Sequence, residues 1–220
     1  YNFARHLAID NPLLESSWIP LGTLGFVFSL VQSYVVYLVY ILEDRAEKGA
    51  LATMAYLDAL TGLFNRAKCQ QIFDILDKSF GDYAFVSIDM NGLKMVNDKY
   101  GHNEGDKLIK IFAGLFKEAF AGVGTAIRVG GDEFLAIVRS EHVADVNDAV
   151  KKMVDLQKER SEDLPIPLEV AYNVAFKHEF LKNGFSMAEE THIDAEKVYH
   201  LSDERMYAMK AKMKSKLARF

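Results

Sequence analysis

Near the middle of the chain, Arg128-Val129-Gly130-Gly131-Asp132-Glu133-Phe134 places two adjacent carboxylates at what reads as the tip of a β-hairpin. Ile127 and Val129 lead in, and the apolar, largely β-branched run from Phe134 to Val138 leads out. A glycine pair between such runs is a strong hairpin signal, because glycine reaches the positive φ values that two-residue turns need. A plain hairpin has no use for two like charges at its tip. Asp132 and Glu133 repel one another there, and a divalent cation is a physical reason to keep them together. Asp89 ends a second apolar run, Tyr83 to Met90, and is well placed to share a metal with a neighbouring hairpin tip. Three carboxylates so grouped could hold one or two Mg²⁺ (or Mn²⁺) ions and neutralise phosphate during phosphoryl or nucleotidyl transfer. Taken singly, each has a plainer reading: a solvated acidic turn for 132–133 and a strand-end cap for Asp89.

Asn97 and Asp106 stand nine residues apart in VNDKYGHNEGD, close enough to converge across a turn. A carboxylate accepting from N1–H and the 2-amino group, with an amide at O6 or N3, would select guanine over adenine. Both residue types are also ordinary turn formers.

The elements that must position these residues follow from periodicity. Residues 66–80 put Cys69, Ile72, Phe73 and Leu76 on one helical face, and 104–120 do the same with Leu108, Ile111, Phe112 and Leu115. A strand is expected over 83–90, and loop-like residues follow it from Met90 to Lys94. After the hairpin come a helix near 142–160, a strand near 168–177 and a final helix over 196–217. The order is not a strict strand–helix alternation. It predicts an α+β domain, with helices packed on a mostly antiparallel sheet.

The 220 residues suffice for one ordinary domain and an appendage, and a 50% hydrophobic composition excludes global disorder. A net charge of −5 argues against a broad basic surface for nucleic acid, while leaving room for a small anionic ligand held by local lysines. The single cysteine, Cys69, excludes an internal disulfide and reads as a buried thiol. The chain lacks an initiator Met and reads as a fragment of a longer protein.

Ahead of the domain, Leu21 to Leu42 is free of charge and long enough for a bilayer core of roughly 30 Å. Pro20 sits at its start, Glu43-Asp44-Arg45 stops it, and Trp18 with Tyr34, Tyr37 and Tyr40 would serve as interfacial aromatics. The expected order is a segment 1–20 outside the span, a transmembrane helix 21–42, a helical connector 43–57 and a soluble domain 58–220. In the connector, Ala50, Met54 and Leu57 keep a spacing that could pair two such helices. The competing reading of 21–42 is a helix buried in a soluble core.

Four motifs in order identify the soluble part as similar to the GGDEF domain family of diguanylate cyclases, which condense two GTP into cyclic di-GMP. Residues 58–66 (DALTGLFNR) resemble the family's opening DxLTGLxNR, and Asp89 through Asp106 its metal and guanine segment. Arg128 through Phe134 carries the name-giving motif, and residues 202–210 (SDERMYAMK) resemble the closing ADxxLYxxK. The resemblance covers about residues 58–214. It implies a palm-like domain, ferredoxin-like and related to nucleotidyl cyclases. It also implies Mg²⁺ at Asp89, the Met90 carbonyl, Asp132 and Glu133, with Asp132 as base for the ribose 3′-OH. Asn97 and Asp106 would read guanine beside His102. Lys94, Lys210 and Lys214 would meet phosphate, and Gly130 and Gly131 would let the backbone approach the nucleotide. Asp58 and Arg66 would tie the connector to the domain. The implied protein is a homodimer joined through domain and connector, tethered to a bacterial cytoplasmic membrane with its GGDEF domain in the cytoplasm. The alternative is a catalytically inactive module that binds GTP or cyclic di-GMP and signals through a partner.

Four departures stand out. The window of the family's RxxD product site is Ala121–Gly124, without either charge. Val129 replaces an aromatic, Ala171 and Asn173 replace the Ser and Gly of an SxG strand, and Lys214 stands where Arg is common.

Overall fold

The computed structural model describes residues 18–164, 166–180 and 193–217. Residues 1–17, Pro165 and the side chains of Trp18, Ala50 and Met54 lie outside the described part, and with them the expectations placed there. The chain divides into two units, Tyr1–Thr53 and Met54–Phe220.

The described part of the first unit is a helix. Helix α1 spans Trp18–Tyr56, with Pro20 in its first turn, where a missing N–H leaves no hydrogen bond unmade. No break separates the expected span from the expected connector. Within α1, Gly22–Gly49 is long and apolar enough to cross a membrane, and none of its most apolar window is buried. Phe26, Val31, Tyr34, Tyr37 and Tyr40 are all exposed, and none joins the described core clusters.

In the second unit the elements run α2 (Arg66–Leu76), β1 (Tyr83–Met90), α3 (Leu93–Tyr100), α4 (His102–Ala119), β2 (Thr125–Arg128), β3 (Glu133–Arg139), α5 (Val146–Glu162), β4 (Val170–Phe176) and α6 (Ala195–Leu217). Short 3₁₀ turns at Ser140–Asp145 and Lys177–Phe180 join β3 to α5 and follow β4. The strands form one sheet in the order β2-β3-β1-β4, every pair antiparallel. That is the ferredoxin-like arrangement of a βαββαβ chain, as expected. Helix α3 was not expected. Its eight residues bury only Leu93 and Val96, and Gly92 and Gly101 at its ends take φ of 75° and 89°, so the local sequence reads as loop.

Strand residues alternate between two layers. The even positions of β1, Ala84 to Met90, pack with Phe112, Phe116, Val146 and Met153 of α4 and α5. Phe112 meets Phe134 edge-on at 4.8 Å between ring centroids and stacks on Phe116 at 5.8 Å. Burying each such ring contributes roughly 1.5–3 kcal/mol. The odd positions, Tyr83 and Phe85, pack with Cys69, Ile72, Phe73 and Leu76 of α2 and with Val198 of α6. The expected apolar face of α2 is therefore the face it buries. Burial also pushes the Cys69 thiol up to about 12, which keeps it unreactive.

The segment between α1 and α2 is closed by Asn65. Its side-chain oxygen caps α2 by accepting from the N–H groups of Ala67 and Lys68, and its amide nitrogen donates to the Ala55 carbonyl at 2.9 Å.

Candidate active site

At its carboxyl end the odd-numbered layer of β1 turns polar. Asp89 lies opposite Glu133 in the β1–β3 register and opposite Ala171 of β4, so Asp89 and Glu133 share a face. Asp89 is 2% exposed. Its buried charge is met by Lys210 of α6, whose Nζ lies 2.5 Å from Oδ1. Burial raises the Asp89 carboxyl above its usual range, Asp132 and Glu133 push the same way, and the Lys210 hydrogen bond opposes them. Asp132 and Glu133 thus both act on the Asp89 carboxyl.

Helix α6 supplies the opposing wall. Asp203, Tyr207, Lys210 and Lys214 recur at i, i+4, i+7 and i+11, a single helical stripe. The Tyr207 hydroxyl donates to Glu133 Oε1 at 3.3 Å. Burial raises the Asp203 carboxyl, with Glu133 the next contributor. Asp203 and Tyr207 were not among the expected site residues. Their spacing from Lys210 and Lys214 was the available signal. Beneath them, the Ser87 and Ser202 hydroxyls meet at 2.6 Å and tie α6 to β1.

The hairpin tip differs from the expected two-residue turn. The last strand pair is Arg128 with Phe134, and the loop is closed by the Val129 N–H donating to the Glu133 carbonyl at 2.9 Å. Neither Gly130 nor Gly131 has positive φ. A Cβ at 130 would stand 3.2 Å from Glu133 Oε2, the far end of a flexible side chain. The tip is pinned by Arg128, which donates to the Gly131 carbonyl at 2.8 Å through one guanidinium nitrogen and to Asp58 Oδ1 at 2.9 Å through another. Asp58 thus links the domain's start to the tip through Arg128. Arg66 makes no ion pair among the described residues.

Beside the tip lies a cleft of about 610 Å³ whose lining includes Met90, Gly92, Lys94, Asp132, Lys210 and Lys214. Four lysines line this opening, Lys99 being the fourth, against Asp98 and Asp132, a cationic excess that suits a polyphosphate in a chain whose net charge is −5. At the α3–α4 junction Asn97 abuts Gly105, and His102 and Asp106 sit one turn apart on α4. Asn97 Oδ1 is buried and has no partner among the described residues.

As placed, no three His, Cys, Asp or Glu side chains among the described residues form a ready metal cage, and Asp89 is paired with Lys210. The donor types nonetheless fit a hard cation: a buried carboxylate, its cross-strand Glu133 and the neighbouring Asp132 are all oxygen ligands.

Comparison with known proteins identifies the family and the fold. The family model described as "Diguanylate cyclase, GGDEF domain" matches residues 55–216. The chain is 34% identical over 167 residues to the probable diguanylate cyclase DgcJ of Escherichia coli, covering 72% of this chain and 30% of that protein. It is 29% identical over 169 residues to the diguanylate cyclase DgcS of Shewanella oneidensis, covering 73% of this chain and 51% of that one. The chain therefore spans about a third to a half of the length of these relatives. Among solved structures, the coiled coil and GGDEF domain of DgcB from Caulobacter crescentus, in complex with c-di-GMP, shares the fold with a TM-score of 0.66. That match is 20% identical and covers 84% of this chain and 95% of the other. The chain belongs to the diguanylate cyclase GGDEF domain family.

Proposed function

We propose that the chain condenses two GTP molecules into cyclic di-GMP with release of two pyrophosphates. The observation that carries this is the meeting of the Asp89–Glu133 carboxylate edge with the Lys94–Lys210–Lys214 cleft at one end of the sheet. Mg²⁺ held by Asp89, Asp132, Glu133 and the Met90 carbonyl would supply charge neutralisation at the phosphates. Asn97 and Asp106, with His102 beside them, hold the guanine. Lys94, Lys210 and Lys214 draw the triphosphate into the cleft. Asp132 takes the proton from the ribose 3′-OH, whose oxygen then bonds to an α-phosphorus as pyrophosphate leaves. Arg128 keeps the tip still during this step through Gly131 and Asp58.

One domain offers one such cleft and one base pocket, and the product has two equivalent linkages. Two copies therefore face one another, each 3′-OH lying against the other's α-phosphate. Tethering through residues 21–42 and the connector 43–57 in the cytoplasmic membrane raises the encounter frequency, towards roughly millimolar effective concentration. GTP is cytosolic, so the domain 58–220 faces the cytoplasm. The presence of Asp89, Gly130, Gly131, Asp132 and Glu133 together favours the enzyme over a module that only binds nucleotide.

The test is to incubate the purified chain with GTP and Mg²⁺ over a dilution series. Cyclic di-GMP should appear, with specific activity falling as the chain is diluted. GTP bound and recovered unchanged would leave the inactive module, and constant specific activity from a monomer would remove the two-copy mechanism.

A further inference from the structure

We infer that Gly105 is a positioning residue of the base pocket: the side chain it lacks is the space in which Asn97 presents an unpaired acceptor to a nucleobase N–H. This rests on the guanine-reading role proposed above for Asn97, with the amide oxygen facing the base in place of the amide nitrogen that a contact to O6 or N3 would use.

Gly105 lies inside helix α4, where glycine is disfavoured against alanine, so its presence calls for a cause. Backbone freedom is not that cause, since its φ is not positive. Space is. A Cβ at 105 would stand 1.9 Å from Asn97 Oδ1, 3.0 Å from its Cγ and 3.3 Å from Leu93 Cδ1. No other described glycine meets so close a neighbour; the nearest contacts at Gly81 and Gly124 are 2.8 Å. The atom that fills this space is also the one buried side-chain polar atom without a partner among the described residues. A buried acceptor left unpaired is unfavourable, and it is relieved by a donor arriving with a ligand.

The polarity of that atom narrows the ligand. Asn97 Oδ1 can only accept, and Asp106, the residue after Gly105, carries a second acceptor when ionised. Two acceptors call for a base edge bearing donors at adjacent positions. Guanine provides N1–H and a 2-amino group, hypoxanthine lacks the amino group, and adenine presents acceptor N1 instead. Oδ1 is the far end of a short side chain, so Gly105→Ala can be absorbed by turning the Asn97 amide away. The fold then survives while the acceptor is lost.

The experiment measures the affinity of the whole chain for GTP and for ITP, in the unsubstituted protein, Gly105→Ala, Asn97→Ala and the double variant, alongside thermal melting. Gly105→Ala should weaken GTP by about tenfold, the size of one hydrogen bond, and narrow the preference for GTP over ITP. The double variant should bind GTP no more weakly than Asn97→Ala alone, since both changes remove one contact. Wild-type GTP affinity and preference in Gly105→Ala would overturn the inference, as would losses that add in the double variant. If Asn97→Ala itself binds GTP normally, the guanine role of Asn97 falls and Gly105 with it. A loss in Asn97→Ala but none in Gly105→Ala removes Gly105 alone. Should Gly105→Ala melt early, adding Asn97→Ala clears the overlap and restores the melting temperature; failure to restore it contradicts the contact.

Discussion

The two faces of the four-stranded sheet end differently. On the face covered by α4 and α5, β1 is apolar from Ala84 to Met90, and Phe112, Phe116 and Phe134 complete a dry layer. On the face covered by α2 and α6, the same strand runs Tyr83, Phe85, Ser87, Asp89. Ser87 and Asp89 are 3% and 2% exposed, as deeply placed as the apolar residues beside them. Burying such groups is costly unless they are paired, and each has a partner on α6: Ser202 for Ser87 and Lys210 for Asp89. One strand therefore serves a core on one side and a charged edge on the other. The difference teaches where chemistry sits in this fold, at the point where a buried alternation turns polar and a helix arrives to match it.

Breaking the charged edge should have the largest effect. Glu133→Gln keeps shape and loses one charge beside Asp89, so turnover should fall by at least about 100-fold, while a hairpin-tip residue leaves melting nearly unchanged. Pyrophosphate release and melting measured on one sample check both halves. Near-normal turnover in a folded variant would take Glu133 out of the site.

Breaking the dry face should do the reverse. Phe112 is fully buried between Phe116 and Phe134, and Phe112→Ala should cost about 3–5 kcal/mol of stability. Turnover per folded molecule, measured well below the melting transition, should stay close to normal. Loss of turnover without loss of stability would erase the distinction between the faces.

The link from Asp58 to the tip gives a smaller, pH-dependent effect. Burial alone would raise the Asp58 carboxyl, but hydrogen bonds from Thr61 and Arg128 outweigh it and hold it below its ordinary 3.8. A depressed carboxyl stabilises the fold above its unfolded value and loses that contribution as pH falls through the folded one. Asp58→Asn should therefore cost about 1 kcal/mol near pH 7, the pair being partly screened by solvent. Its deficit should shrink below pH 3.8. Urea melts at pH 7 and pH 3 read the difference, and an equal deficit at both would reject the linkage.

The smallest expected effect is an absence. A Cβ at Gly124 would stand 3.0 Å from the Ile137 carbonyl oxygen and 2.8 Å from Val138 Cγ2, so the position has no room for an acidic side chain. With Ala at 121 as well, cyclic di-GMP should give no non-competitive inhibition in initial-rate assays. Potent non-competitive inhibition would show a product site elsewhere.

Much of this was legible in the sequence, because apolar alternation and helical spacing are local signals. The face of α2, the strand ending in Asp89 and the long terminal helix follow from patterns within about 20 residues. The stripe of Asp203, Tyr207, Lys210 and Lys214 on α6 was equally open to that method. Helix α3 was not, since positive-φ glycines flank eight residues with two apolar anchors. Nor was the partner of Asp58, because Arg128 lies 70 residues away and only β-pairing brings it near. The hairpin glycines illustrate a third kind of gap: their presence was plain, but neither bends the chain through a positive φ.

The most direct test of the charged edge is binding of Mn²⁺, standing in for Mg²⁺, to the whole chain with a non-hydrolysable GTP analogue, followed by electron paramagnetic resonance. The unsubstituted chain should bind the ion saturably, Phe112→Ala should match it while folded, and Glu133→Gln should bind at least about tenfold more weakly. Equal affinity in the unsubstituted chain and Glu133→Gln would contradict the placement of the metal at the Asp89–Glu133 edge.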